Sequence, residues 1–235
     1  MTLESIKRLE RRYIKPVLGN LKPWRQVTYS GIRIYYKKIL DGGGPTIGQD
    51  LVQMLRERGL PNQRRVFEWC AGPGFIGLSM LARGMCQTLC LADVNKRAVE
   101  ACRLTVRENG LHDRVSVYHS NNLRDIPASE RWDLVVGNPP HFADACVGDV
   151  RAHDRDWHIH REFYATVGKF LNPGGVIVLV EHNQGSTVET FREMIEQSGL
   201  QVVFVDGCAP GLTPDSRNYH LGIMRHADPP PAWAI

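Results

Sequence analysis

The chain has 235 residues, of which 43% are hydrophobic and 23% are charged, with a formal net charge of +4. These values are typical of one globular domain with a full hydrophobic core, without internal repeats or low-complexity segments. No apolar run approaches membrane-spanning length, the N-terminus lacks a signal-peptide core, and the six cysteines form no disulfide pattern. We therefore expect a cytoplasmic protein with reduced thiols and no membrane partner.

The positive charge is concentrated at the N-terminus, where residues 1–40 hold ten Lys or Arg and only two acidic residues. Apolar residues recur at helical spacing from Leu3 to Val17, with basic side chains on the opposite face, which predicts an amphipathic helix. This helix has two interpretations: a solvated basic face, or a docking surface for an anionic polymer such as RNA.

Residues 24–40 alternate around Ser30-Gly31 and predict a β-hairpin, with Tyr36 as a candidate substrate contact on its second strand. Three glycines follow at residues 42–44, either as a hinge or as a linker. Thr46 and Gln49 have capping-box spacing and predict a helix over residues 47–58. We divide the chain into a basic helix and hairpin (1–45), a catalytic domain (46–226) and a tail (227–235).

The stretch from Val66 to Gly77 predicts a buried strand, a glycine turn and a helix that ends at Gly84. Glycines at 72 and 74 permit positive φ and let a ligand approach the backbone. The Gly-x-Gly-x-x-Gly spacing, with Asp93 beyond it, is compatible with a dinucleotide. Glu68 favours S-adenosylmethionine instead, because a carboxylate here repels a pyrophosphate and attracts an ammonium group.

Six further strands are predicted at residues 88–93, 115–118, 133–137, 176–180, 201–205 and 219–224, with helices between most of them. This alternation predicts an α/β, Rossmann-like, doubly wound sheet of seven mostly parallel strands, with the N-terminal helix and hairpin as an appendage.

A second motif, Asn138-Pro139-Pro140-His141-Phe142, follows the strand at 133–137, where ligands bind in such sheets. The prolines stiffen the loop, which then presents the Asn138 side-chain oxygen and the Pro139 carbonyl as acceptors. Two acceptors aimed at one point suit an NH2 group whose lone pair is delocalised, as in an amide or a nucleobase. Holding its hydrogens out of plane frees the lone pair to attack a methyl group.

With these two motifs, residues 24–225 resemble the class I S-adenosylmethionine-dependent methyltransferases with an Asn-Pro-Pro-aromatic motif, and most of all the HemK-type glutamine methyltransferases and methylases of nucleobase amines. The resemblance implies that Asn138 and Pro139 hold the target nitrogen and that His141 stacks on the target group, so these three residues are the candidate catalytic residues. The candidate substrate contacts are Pro140, His141 and Phe142 of this motif, Tyr36 of the hairpin and His158. It implies that the cofactor is held by Glu68, Cys70, Ala71, Gly72, Gly74, Asp93, Val94, Asn121, Asn122 and Asn138.

The chain departs from that pattern at Cys70, where the family has a glycine, at Asn122, where it has an acid, and at His141, where it has Tyr or Phe. We expect an N-methyltransferase acting on an amine or amide, with a specialised metabolite as the first acceptor. A protein glutamine or an exocyclic amine in RNA is the alternative, and sequence-specific DNA binding is not expected. A dehydrogenase and a non-catalytic binding module remain as rivals.

The segment from His153 to His160 is rich in His and Asp. Its spacing matches no zinc signature, and methyl transfer to nitrogen requires no metal, so we expect a polar loop on the substrate side rather than a metal site.

Overall fold

The computed structural model describes residues 23–40, 44–143, 152–207 and 217–235. The predicted basic helix lies outside these residues, and with it the choice between a solvated face and an RNA-docking surface. Gly42 and Gly43 of the predicted hinge also lie outside them.

Within the described ranges the chain forms nine strands and five α-helices. The strands are β1 (Arg25–Tyr29), β2 (Ile32–Tyr36), β3 (Gln63–Trp69), β4 (Cys86–Asp93), β5 (Val115–His119), β6 (Trp132–Gly137), β7 (Leu171–His182), β8 (Leu200–Asp206) and β9 (Asn218–Arg225). The helices are α1 (Gln49–Glu57), α2 (Phe75–Ala82), α3 (Lys96–Glu108), α4 (His158–Val167) and α5 (Val188–Gln197).

Seven strands form one sheet in the order β5-β4-β3-β6-β7-β9-β8. The pairs from β5 to β7 are parallel, whereas β9 runs antiparallel to β7 and β8. The predicted fold class, a doubly wound and mostly parallel sheet of seven strands, is confirmed. The strand order reverses between β3 and β6, so a crevice opens at the carboxyl ends of these two strands.

The central strands are apolar on both faces because helices cover both sides of the sheet. Val66 faces one core cluster with side chains from α1, α2 and α3, and its neighbour Phe67 faces a second cluster with side chains from α4 and α5. Within the parts of the chain that the structure describes, no helix is both long and apolar enough to cross a bilayer.

The β1–β2 hairpin shares the first of these cores. Ile34 is fully buried there, and the hairpin is tied to α3 by backbone N–H groups of Arg33 and Tyr35, which donate to Asn109 Oδ1 and Thr105 Oγ1 at 2.9 Å. At the other end of the chain, Ala234 is also buried in this core. The domain boundaries at residues 45 and 226 remain predictions.

Two helix starts differ in how well they were predicted. Asn95 caps α3 as expected, its side chain accepting from the backbone N–H of Arg97 at 3.1 Å. The prediction of a capping box at Thr46 and Gln49 is wrong, because α1 begins after Gly48, which has φ +68° and provides no side-chain cap. The Gln49 side chain instead donates to the Phe75 carbonyl at 3.2 Å and accepts from the Ser79 hydroxyl at 2.8 Å, so it joins α1 to α2.

Gly77, the last glycine of the predicted motif, allows α2 to lie close to the sheet. A Cβ at this position would lie 2.6 Å from Leu89 Cδ1 and 2.8 Å from Glu68 Oε2. We therefore expect Gly77→Ala to lower the free energy of unfolding by about 1–3 kcal/mol, as measured by denaturant titration.

The matched control is Gly168→Ala at the end of α4, where φ is −55° and a Cβ would meet no atom within 4 Å. This control should change stability by less than about 0.5 kcal/mol. Equal effects of the two substitutions would contradict the close approach of α2 to the sheet.

Candidate active site

A cavity of about 510 Å³ opens at the carboxyl edge of the sheet, at the crevice between β3 and β6. Its walls come from the turn after β3, the tip of β4, and the loops after β5 and β6. Most of the predicted cofactor residues line it: Glu68, Cys70, Ala71, Gly72, Asp93, Val94, Asn121, Asn122 and Asn138. Gly74 does not line it.

In the turn after β3, every second residue lies in the left-handed region. Cys70, Gly72 and Gly74 have φ of +53°, +52° and +81°. Cys70 therefore adopts the conformation that a glycine at this position would adopt, and this departure from the family pattern leaves the turn intact. Gly74 is the residue that begins α2, and a Cβ there would lie 2.9 Å from Leu78 Cδ1.

Glu68 stabilises this turn from inside the protein. Its carboxyl oxygens accept from the backbone N–H groups of Ile76 at 3.2 Å and Gly77 at 2.8 Å, at the start of α2. Burial raises the pKa of Glu68 from 4.5 to about 8, and these two hydrogen bonds only partly offset that effect. Glu68 lines the cavity, but its oxygens are engaged by the backbone, so its contact with the ammonium group stays a prediction.

This raised pKa has a consequence for stability. Between pH 4.5 and about 8 the folded protein holds a proton on Glu68 that the unfolded chain has lost. Stability from this group is therefore complete at acidic pH and is lost as the pH rises through that window. We expect the stability of the wild type relative to Glu68→Gln to decline over the same window in denaturant titrations. A difference that is constant with pH would contradict the burial of an ionisable Glu68.

Asp93 lies at the tip of β4 and fixes the same turn from the other side. Its Oδ2 accepts from the Gly72 N–H and its Oδ1 from the Asn95 N–H, both at 2.7 Å. Burial raises the pKa of Asp93, against the opposing effect of these N–H donors. The position next to Gly72 and along the cavity suits the predicted contact with ribose hydroxyls.

Asn122, in the loop after β5, leaves one acceptor free. Its Nδ2 donates to the Ile159 carbonyl at 2.9 Å, whereas its Oδ1 is buried and has no hydrogen-bond partner. The backbone of Asn122 is left-handed, at φ +56°, a region that Asn tolerates better than most residues. An amine in the cavity could satisfy this oxygen, which agrees with the predicted contact to adenine.

The Asn-Pro-Pro loop after β6 forms the opposite wall. Asn138, Pro139, Pro140 and His141 all line the cavity, and Asn138 Oδ1 is a second buried acceptor without a partner. A buried acceptor left unpaired costs free energy, so this oxygen is placed for a donor from a bound molecule.

Three predicted substrate contacts do not line the cavity. Tyr36 is 6% exposed and lies in the core, where its ring packs edge-to-face on the ring of Phe75 with centroids 5.2 Å apart. His158 is exposed and its Nδ1 contacts Asp154 and the Arg155 carbonyl. Phe142 pairs with the His153 backbone outside the lining. This geometry corrects the assignment of Tyr36, because burial in the core takes its ring away from the site.

The His- and Asp-rich segment reaches the cavity through Ile159, and Ala152 just before the segment also lines it; the polar side chains of the segment do not. Two of those polar side chains, Asp154 and His160, are fully buried and bond to each other. His160 also bonds to Glu181 at the end of β7, a residue that sequence reasoning missed. A glutamate ending the apolar run of β7 is the signal that could have identified it. Among the described residues, no group of three or more His, Cys, Asp or Glu is arranged to hold a metal ion.

The family follows from comparison with known proteins. Residues 33–202 match the model of the methyltransferase small domain family. The chain belongs to that family. The Asn-Pro-Pro motif and the cavity both lie within the matched residues, and the dehydrogenase alternative is excluded.

Curated relatives of this methyltransferase domain include enzymes that act on protein and on RNA. The release factor glutamine methyltransferase of Clostridium acetobutylicum is 25% identical over 132 residues, covering 50% of this chain and 46% of that enzyme. The tRNA1(Val) (adenine(37)-N6)-methyltransferase of Dyadobacter fermentans is 22% identical over 143 residues, covering 59% of this chain and 58% of that enzyme. The chain thus spans about half the length of the curated relatives it matches.

A solved structure shows the same fold. The 16S rRNA N2 methyltransferase of T. thermophilus, in complex with AdoMet and guanosine, superposes with a TM-score of 0.59 at 18% identity, over 86% of this chain and 50% of that one. The methyltransferase domain described here uses S-adenosylmethionine, and its residues fit that cofactor. The glycine turn leaves room for close backbone approach, Asp93 lines the cavity next to that turn, and Asn122 offers an unpaired acceptor.

Proposed function

We propose that this enzyme transfers the methyl group of S-adenosylmethionine to a planar NH2 group, and that the acceptor is the side-chain amide of a glutamine in a protein. When bound, S-adenosylmethionine supplies an electrophilic methyl group. The residues of the chain bind the cofactor on the β3–β4 side of the cavity and hold the acceptor on the β6 side.

The observation that carries the proposal is the unpaired Oδ1 of Asn138. This oxygen is buried, and Asn138 itself lines the cavity and comes directly after β6, a central strand of the sheet. An NH2 group of the acceptor would satisfy it, and the two prolines that follow fix the direction of the loop. The contribution of the protein is thus positioning and electrostatic stabilisation of the attacking nitrogen.

The aromatic lining favours an amide over a nucleobase. A base in a methylase pocket is held by stacking between aromatic or apolar side chains. The aromatic rings that line this cavity in the described residues are those of Trp69 and Phe75, which are 1% and 4% exposed, and the imidazole of His141. A single small ring is a poor stacking site, whereas a primary amide requires only hydrogen-bond acceptors. The metabolite acceptor, our first expectation, gains no support from the relatives.

The test is an incubation with methyl-labelled S-adenosylmethionine and two acceptor pools, cellular protein and RNA from a strain that lacks the gene. We expect label in protein, released by enzymatic digestion as N-methylglutamine. Label recovered as an N-methylated base from RNA would replace the glutamine proposal with its alternative. Label in neither pool, with a folded enzyme that binds S-adenosylhomocysteine, would refute both macromolecular acceptors.

A further inference from the structure

A continuous series of polar side chains runs from the interior to His141. Asp154 Oδ2 lies 2.6 Å from His160 Nδ1, and His160 Nε2 lies 3.2 Å from Glu181 Oε1. The second oxygen of Glu181 lies 3.7 Å from His141 Nδ1. That separation is an ion-pair distance rather than a hydrogen bond, and both atoms lack a hydrogen-bond partner.

The first three members of this series, Asp154, His160 and Glu181, are fully buried, and each stabilises the charged form of its neighbour. Burial disfavours a charge on His160, but the carboxylates of Glu181 and Asp154 outweigh it and raise the pKa of His160 to about 9. The same pairing lowers the pKa of Asp154 and of Glu181 against the opposing effect of burial. Two carboxylates and one imidazolium leave a buried net charge of −1, and His141 is the group that lies at the free oxygen of Glu181.

The position of His141 is set by its surroundings. Its side chain is 15% exposed and lines the cavity beside Asn138. A Cβ on Gly185 would overlap its carbonyl oxygen, so the chain after β7 supports the backbone of His141 directly. With Nδ1 turned toward Glu181, Nε2 is the ring nitrogen left for the cavity.

We infer that His141 accepts the proton released by the methylated nitrogen. Glu181, held by His160 and Asp154, is the positioning residue that orients the His141 ring and stabilises the imidazolium that forms. This inference rests on the proposed function. A carboxylate behind an imidazole fixes the tautomer with a proton on Nδ1 and stabilises the imidazolium that forms. A His at this position therefore does more than replace the Tyr or Phe of the family as a stacking ring.

The step balances in atoms and charge. The lone pair of the nitrogen forms a bond to the methyl carbon while the bond from that carbon to sulfur breaks, and its electron pair leaves with S-adenosylhomocysteine. The positive charge that arrives with the methyl group then leaves the nitrogen as a proton. The N–H bond breaks with its electron pair kept by nitrogen, and an H–Nε2 bond forms on His141. The imidazolium then neutralises the net charge of the buried series, and the proton passes to water when the product leaves.

Among the residues that the structure describes, two titratable groups face the His141 ring, both from β7: Glu181, and His182, whose ring centroid lies 5.9 Å away. The ring of Phe142 contacts it from its own loop. On the interior side of Glu181 lie His160, Tyr164 and Tyr219. The positive charge of Arg217 has an electrostatic effect on His182.

The test compares pH profiles of kcat/KM, with kcat and KM also measured separately, for the wild type and three variants of the 235-residue chain, on the acceptor that the labelling experiment identifies. His141→Phe keeps an aromatic ring but no base, and we expect kcat to fall about a hundredfold or more with loss of the acid limb of the profile. Glu181→Gln keeps the size of the side chain but removes the carboxylate that holds the His141 ring, so kcat should fall while KM stays nearly unchanged. His112→Gln, at an exposed histidine that does not line the cavity, is the control and should keep the wild-type profile.

A second readout is independent of turnover. In 15N NMR spectra of the unliganded protein, the neutral His141 ring should carry its proton on Nδ1, and Glu181→Gln should weaken this preference for the Nδ1 tautomer. An active His141→Phe enzyme with the wild-type pH profile would overturn the inference and leave the proposed function standing. A wild-type enzyme that methylates no acceptor would refute the proposed function and the inference with it.

Discussion

Replacing Asn138 by Ala is expected to lower turnover about a hundredfold or more while leaving the affinity for S-adenosylmethionine nearly unchanged. The side-chain oxygen is buried, unpaired and part of the wall opposite Asp93 and the glycine turn. Its loss removes a preorganised contact to the attacking nitrogen, and the cofactor is bound on the other side of the transferred methyl group. Single-turnover rates and calorimetric titration with S-adenosylhomocysteine separate the two effects.

The matched variant is Asn138→Asp, which keeps an acceptor at nearly the same place and should retain partial activity. The order of turnover should therefore be wild type, then Asn138→Asp, then Asn138→Ala. A fully active Asn138→Ala enzyme would show that the acceptor nitrogen is held elsewhere, and the assignment of the Asn-Pro-Pro loop would fail.

The affinity for S-adenosylmethionine should depend on Asp93. Its carboxylate lies at the cavity wall, and Asp93→Ala removes charge-assisted hydrogen bonds to the ribose, at a cost of about 1.5–3 kcal/mol in binding free energy. The substitution also removes the acceptor for the Gly72 and Asn95 N–H groups, which adds to the loss by loosening the turn. Calorimetry gives the affinity directly.

Asp206→Ala is the control for Asp93. Asp206 also ends a strand, but its carboxylate pairs with Arg58 at 3.3 Å and does not line the cavity. Its loss should leave cofactor affinity as in the wild type. An Asp93→Ala protein with wild-type affinity would remove Asp93 from the cofactor site.

The features that were predictable are those set by nearby sequence. The turn after β3 needs glycines within a few residues of a buried strand, and Asn95 caps α3 through its own local geometry. The position of Asn138 at the cavity was predictable because the prolines after it dictate a stiff loop at the end of an apolar strand. In each case the physical cause lies within about one turn or one strand of the residue concerned.

The features that were missed depend on contacts between distant elements. Tyr36 lies in the core because its ring packs against Phe75 of α2. Gln49 does not form the predicted cap because its side chain bonds to Phe75 and Ser79 of α2. Asp154 and Glu181 are far apart in the chain and meet only through His160, when α4 packs beside β7. Periodicity cannot show such pairings.

The central claim is that the methyl group goes to a nitrogen of the acceptor. Its most direct measurement is the position of the label after incubation with 13C-methyl S-adenosylmethionine, read by NMR on the isolated product together with the yield of S-adenosylhomocysteine. We expect one N-methyl signal for each S-adenosylhomocysteine formed. A 13C methyl group on oxygen, sulfur or carbon, or cofactor turnover without a methylated product, would contradict it.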